Sequence, residues 1–257
     1  MKLAHIYLYP IKSLDGIEVA QGTILASGAL QGDREWAIVD EQGNFVNGKR
    51  TAKIHRLRST FDLVARTIAI GIEGNPQRQE FYLDEPTPLE DWLGNYFGFP
   101  VHLVRNAEVG FPDDLDSPGP TLISTETLQT VAGWFPEVDL AEARSRFRTN
   151  LEIAEVEPFW EDQLFGAVDH QIAFQIGEVE LGGVNPCQRC IVPTRNHVTG
   201  ERSVGFQKKF SQHRQESLPA WVDRSRFNHF FRLAVNTRLM QSQEGKVLRV
   251  GDTVRLS

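Results

Sequence analysis

The chain has 257 residues, 40% of them hydrophobic and 24% charged, with 16 Phe and 5 Trp; that composition gives a sizeable core and excludes disorder as the main state. Its formal charge of −7 is uneven, with −9 in residues 1–140 and +2 in residues 141–257, which excludes a general nucleic-acid binder but leaves room for a local anion site in the later part. No apolar run approaches the ~20 residues that span a bilayer, and the first residues are broken by His5 and Pro10 with no small-residue cleavage site, so a cytoplasmic protein without a membrane span is expected.

Strand-like alternation comes first at Leu3 to Tyr9 and Trp36 to Val39, then at Ser59 to Ala65, Thr67 to Ile72, Glu80 to Leu83 and Val101 to Arg105. Turn signals such as Asp40-Glu-Gln-Gly-Asn44 and Gly74-Asn-Pro76 separate them. A helix is predicted over Leu89 to Phe97, a second over Thr125 to Trp134 with Ser124 as N-cap, and a third over Asp139 to Phe147. Later strands are predicted at Leu151 to Glu155, Ala173 to Leu181 and Val247 to Leu256, with a turn signal at Gly251-Asp252. Asn106 to Pro120 carries acidic residues, three prolines and little apolar periodicity, so it reads as a linker or mobile surface loop with a domain boundary near 110–120. The fold class is mainly β (α+β), with a few peripheral helices.

Cys187 and Cys190 are the only cysteines, and a bridge between them would close too short a loop to staple a fold of this size. Four readings of their loop stand side by side. Zinc needs about four ligands, which would have to be recruited from His170, His197 and His213, and these form no metal-spaced pair. A thioredoxin-like dithiol belongs at a helix start within a βαβ pattern, whereas this loop runs on into the extended-favouring Ile191-Val192-Pro193. The cysteines can also be small, partly buried hydrophobes without a role. In the fourth reading one thiolate is a direct ligand to a soft metal otherwise held by a cofactor, which requires anion-binding groups elsewhere.

Pro10-Ile-Lys-Ser13, Gly32-Asp-Arg34 and Phe147-Arg-Thr-Asn150 each set a basic residue beside a small hydrogen-bonding or turn residue. Taken singly, each reads as a solvated charge or a structural ion pair. Residues 187–214 add Arg189, Arg195, Arg202, Lys208, Lys209 and Arg214 against Glu201 alone, a basic rim around the cysteine loop.

In order and spacing, Tyr9-Pro-Ile-Lys-Ser13, Gly32-Asp-Arg-Glu-Trp36, Ile123-Ser124, Phe147-Arg-Thr-Asn150, Cys187-Gln-Arg-Cys190, Thr194, Thr199-Gly200 and Val250-Gly-Asp252 resemble the MOSC proteins. The likeness is to the branch with an associated N-terminal β-barrel domain, to which the mitochondrial amidoxime-reducing component and its bacterial relatives belong. The resemblance implies an N-terminal β-barrel-like domain over residues 1–112 packed on a β-barrel MOSC domain over residues 113–257. A molybdenum cofactor, molybdenum with molybdopterin, would lie in a cleft between them. By position Cys190 corresponds to the thiolate ligand of molybdenum, while Lys12, Ser13, Arg34, Ser124, Arg148, Asn150 and Arg189 match positions that hold the pterin and its phosphate. For Cys187, packing is the default.

The chain also departs from its relatives. Where they commonly carry two carboxylates after the cysteine loop, it reads Thr194-Arg-Asn-His-Val-Thr-Gly200, and a tyrosine expected near the cofactor is Phe230. The implied activity is reduction of N-hydroxylated compounds. No general acid stands out, with His197 the nearest titratable group in sequence. Lacking a four-cysteine cluster pattern and a Gly-x-Gly-x-x-Gly fingerprint, the chain would take electrons from an external flavin, haem or iron–sulfur protein. The alternatives are a carrier of molybdenum cofactor or persulfide sulfur without turnover, and a β-rich binding domain with an empty cleft.

Overall fold

The computed structural model describes residues 1–256. The first half forms strands β1 (Lys2–Leu8), β2 (Ile17–Val19), β3 (Gln21–Thr23), β4 (Trp36–Asp40), β5 (Leu57–Asp62), β6 (Thr67–Ile72) and β7 (Arg78–Tyr82), helix α1 (Thr87–Phe97) and strand β8 (Val101–Arg105). Then follow β9 (Leu122–Ser124), α2 (Thr125–Gly133), α3 (Leu140–Phe147), β10 (Leu151–Ala154), β11 (Ile172–Ile176) and β12 (Val179–Gln188). The chain ends with α4 (Phe206–Glu216), β13 (Arg232–Arg238), β14 (Val247–Arg249) and β15 (Val254–Leu256). With 33% strand and 21% helix, the protein is mainly β, as its alternation predicts.

An eight-stranded sheet runs β15-β11-β12-β13-β9-β10-β1-β2. The Leu3 N–H donates to the Asp252 carbonyl at 2.8 Å, and Lys2 bridges Thr253, so the sheet curls until β1 meets the chain entering β15. Smaller sheets pair β3 with β14, β4 with β8, and β5-β6-β7. We propose a division into residues 1–112 and 113–257, across which β1 and β3 pair with β10 and β14. No helix among the described residues is long and apolar enough to cross a membrane.

Two cores explain where a cleft must lie. Leu3, Ile6 and Leu8 pack with Leu122, Leu151 and Phe174, whereas Ile11 and Leu14 pack with Trp36, Ile70, Leu89 and Leu103. The chain therefore passes from one core to the other at Tyr9-Pro10. It returns to the first core by Ile24 and Leu30, and crosses again to reach Trp36 in the second. These crossings are bonded side by side: the Arg34 N–H donates to the Tyr9 carbonyl at 2.8 Å, the Lys12 N–H to the Trp36 carbonyl at 2.8 Å, and the Phe111 N–H of a third crossing to the Arg34 carbonyl at 2.9 Å. Polar residues at a junction between apolar cores face neither core, and here they face each other.

The helices follow local rules. Leu89, Leu93 and Phe97 form the buried stripe of α1, the Ser124 side chain caps α2 through the Thr127 N–H, and Asp139 caps α3 through the Glu142 N–H. Several expectations need correction. The strand predicted over Ala173 to Leu181 is a hairpin turning at Gly177 and Glu178, whose second arm runs on to Gln188; that over Val247 to Leu256 is split by a turn at Val250–Thr253. Residues 206–216, for which no helix is predicted, form one, because Phe206, Phe210 and Arg214 turn inward on one side. The segment 106–120 is no free surface loop: the Gly119 N–H donates to the Thr237 carbonyl at 3.0 Å, and a Cβ on Gly119 would lie 2.6 Å from that carbonyl oxygen, so only glycine allows the approach.

Candidate functional site

Between the cores opens a cleft of about 1020 Å³. Lys12, Ser13, Arg34, Arg148, Asn150, Arg189 and Cys190 all line it, drawn from both halves of the chain. Its lining holds ten Lys and Arg side chains against four Asp, so a chain of net charge −7 keeps a strongly cationic interior.

The centre of this charge is built on Tyr9. Arg148 stacks over its ring at 4.2 Å and Arg34 at 4.9 Å, while the buried hydroxyl donates to the Thr149 carbonyl at 3.2 Å. Arg34 is compensated by Asp33, and it donates to the Arg148 carbonyl at 3.1 Å and to Asn150 Oδ1 at 3.3 Å. Arg148 is not compensated. Its guanidinium makes no hydrogen bond or ion pair within residues 1–256, and burial lowers its pKa from the ordinary arginine value. Ser13 (φ 76°), Arg34 (φ 49°) and Arg148 (φ 51°) all have left-handed backbones, a conformation costing about 1–3 kcal/mol for non-glycine residues and concentrated at functional sites. Arg148 takes it as the C-cap of α3, where glycine is usual.

The other predicted residues divide. Asn150 is buried and spent on structure, its Nδ2 donating to the Tyr7 carbonyl at 3.0 Å and its Oδ1 accepting from the Thr121 N–H at 3.2 Å. Lys12 Nζ donates to the Phe111 carbonyl at 2.8 Å and to Asp113 at 2.7 Å. Burial alone would raise the Asp113 carboxyl, but Lys12 and Lys49 hold it below the usual carboxylate range.

Ser124 does not reach the cleft; it is fully buried, its hydroxyl bonded to Thr127. Ser124→Ala should cost about 1–2 kcal/mol in a urea denaturation and leave ligand binding in the cleft unchanged. Phe230, where a cofactor contact is expected, stacks on Phe227 at 6.0 Å outside the cleft. Nor do Arg202, Lys208, Lys209 and Arg214 form a rim: none lines the cleft, because the lysines face solvent on α4 and Arg214 turns inward to Asp162.

The two cysteines are free thiols with different surroundings. Cys187, near the end of β12, packs against the core that contains Phe147 and Phe231, and its sulfur receives Arg189 Nη1 at 3.2 Å. Arg189 also donates to the Phe147 carbonyl, and its buried Nε has no partner. Cys190 is half-buried on the cleft wall, and no hydrogen bond engages its sulfur. No group of three or more His, Cys, Asp or Glu side chains suited to a metal ion occurs among the described residues, so the four-ligand zinc reading lacks ligands. A strand enters the cysteine loop and a short 3₁₀ turn, Val192–Thr194, leaves it, which is not the helix start that a thioredoxin-like dithiol needs.

The donor set suits an anionic cofactor with a thiolate-ligated metal: a guanidinium without an acceptor, an orphaned Arg189 Nε and a disengaged thiol share one cavity. Sequence reading missed Glu142, whose buried carboxylate joins Arg146 and His197. Burial would raise this carboxyl, but the His197 ring and Arg146 draw it down to about 2. One acid among Arg144 and Arg146 on a short helix carries no signal of that role.

The chain matches the MOSC N-terminal beta barrel domain over residues 1–88 and the MOSC domain over residues 121–255. It is 24% identical to the molybdenum cofactor sulfurase of Homo sapiens, with 84% of this chain and 29% of that protein aligned. To mitochondrial amidoxime-reducing component 1 of Danio rerio it is 23% identical, covering 76% of this chain and 69% of the relative. The human amidoxime-reducing component 1 is also 23% identical, over 78% of this chain and 68% of its own length. The chain thus spans less than a third of the sulfurases it matches.

Proposed function

The chain belongs to the MOSC domain family, and on that premise we propose that it is a molybdenum-cofactor-dependent oxidoreductase that removes oxygen from N-hydroxylated compounds with electrons from an external donor protein. The observation that carries the reading is the pairing, in one cationic cleft, of the disengaged Cys190 thiol with the uncompensated Arg148 guanidinium. Relatives named for amidoxime reduction cover most of the chain and support the choice of substrate class.

Cys190 would be the protein ligand to molybdenum. Arg148 and Arg189 would meet the negative charge of the pterin phosphate, with Arg34, Ser13 and Asn150 fixing the walls around it. Lys12 would contribute once an anion competes with Asp113 for its ammonium. When bound, the cofactor supplies the two-electron chemistry at the N–O bond. The Tyr9 ring helps orient both guanidiniums through its cation–π contacts. Asp113 and Asp114 also line the cleft, bonded to Lys12 and to Asn236 respectively.

Protein from a host that makes the cofactor, supplied with a chemical reductant and an amidoxime, should yield the amidine; full cofactor occupancy without turnover would refute the reading. Cys187→Ala should keep its molybdenum and most of its activity, because packing and Arg189 account for the Cys187 sulfur. The runner-up is a carrier of molybdenum cofactor or persulfide sulfur. It draws support from the sulfurase matches and from the guanidinium on the Cys187 sulfur, and it requires bound molybdenum that does not cycle between redox states with an N-hydroxylated substrate.

A further inference from the structure

Reducing an N-hydroxylated compound to its parent consumes two protons as well as two electrons, and a thiolate ligand and guanidinium cations are poor sources of them. A group better suited to the task follows the cysteine loop. The Glu142 carboxylate on α3 is shared: Oε1 accepts from Arg146 Nε at 2.6 Å and from the His197 main-chain N–H at 3.2 Å, while Oε2 meets the His197 ring at Nδ1. Arg146, itself buried, also donates to the Pro193 carbonyl at 3.3 Å and to Ser203 Oγ at 3.2 Å. The loop is thus fastened to α3 at both ends of the segment that carries His197.

The ring orientation follows. With Nδ1 turned to a carboxylate that is ionised, the hydrogen on that nitrogen is donated to Glu142, and proton exchange falls to Nε2. Nε2 has no partner among the described residues, the side chain is 29% exposed, and His197 lines the same cleft as Cys190. The charged groups around the ring are Glu142 and Arg146 of α3, Arg195 of its own loop, and Arg58 of β5, whose Nη2 donates to the His197 carbonyl at 3.1 Å.

We propose that His197, oriented by Glu142, is the proton donor to the oxygen that leaves an N-hydroxylated substrate in this cleft. This rests on the reductase reading. The N–O bond breaks as two electrons arrive, originating from an external electron-transfer protein. One proton passes from His197 Nε2 to the departing oxygen, which leaves as water; a second, from solvent, completes the N–H bond of the product. The neutral imidazole recovers its proton through the open mouth of the cleft. In sum, one N–OH, two electrons and two protons become one N–H and one water.

His197→Gln keeps a hydrogen-bond donor for Glu142 but cannot cycle a proton. At molybdenum and pterin contents equal to wild type, kcat should fall about 100-fold or more, the lower end of what general acid catalysis supplies, with KM little changed and the alkaline limb of the pH–rate profile gone. Glu142→Gln should fall between the two, as a positioning residue, with its pH profile displaced. A readout without turnover uses the full chain purified without cofactor. Diethyl pyrocarbonate should modify His197 ahead of His55, whose Nε2 is so close to Gly48 that a Cβ there would lie 2.6 Å away.

A His197 that stays unmodified while exposed histidines react would overturn the proposal, because Nε2 would not open into the cleft. An active wild type with an equally active His197→Gln would overturn it and leave the reductase reading standing. A cofactor-loaded wild type that reduces no N-hydroxylated compound would overturn both.

Discussion

Cys190→Ala should purify as a folded protein whose melting behaviour matches the wild type within about 1 kcal/mol, and it should reduce no N-hydroxylated substrate. The first half of this expectation follows from packing. The Cys190 side chain is half-buried on a cleft wall, with no hydrogen bond to lose and no place in the apolar cores. The second half follows from ligation: loss of a supporting group costs a metal site roughly 10–100-fold, and removal of its single protein ligand should exceed that. The contrast with Cys187→Ala makes the test sharp, because the two residues share a loop and differ in what their sulfurs touch. Parallel denaturation curves and turnover assays on both variants, at measured cofactor content, supply the check.

The next largest effect is expected at Arg148. Arg148→Ala should retain the cofactor about 10–100-fold less tightly, the equivalent of one lost hydrogen bond to a charged group at about 1.5–3 kcal/mol. Stability should move the other way. The wild type holds a half-buried cation without a hydrogen-bonded protein acceptor, on a left-handed residue with φ 51°, and both features cost energy unless a ligand compensates them. Arg148→Gly, which relieves the backbone as well, should therefore melt no lower than the wild type in cofactor-free form while losing occupancy. Pterin fluorescence after oxidative release, beside thermal melts of the apo proteins, reads both quantities. Full occupancy in the variant, or a clear loss of apo stability, would remove Arg148 from the site.

Much of this site was legible because its residues fall where the chain changes cores. Lys12, Ser13 and Arg34 sit in short polar breaks between apolar runs, and the same breaks become the crossings that form the cleft. Ser124 illustrates the limit of such reading: a good N-cap and a ligand-binding serine look alike in sequence, and burial decides for the cap. Asn150 lines the cleft, yet its amide is consumed by Tyr7 and Thr121, a use that needs three strands in place before it exists. Residues 206–216 escaped because only Phe206 and Phe210 mark their apolar face, and β13 because Asn236 and Thr237 interrupt its run although both are buried. The Glu142–His197 pair joins residues 55 positions apart, and no local pattern announces a contact of that range.

The central claim, that this cleft binds a molybdenum cofactor through Cys190, is tested most directly by X-ray absorption at the molybdenum edge, on wild type and Cys190→Ala from a host competent for cofactor synthesis. The account predicts molybdenum in the wild type with a sulfur shell that loses one neighbour in the variant. Identical sulfur shells in the two proteins, or a wild type that carries no molybdenum, would contradict it.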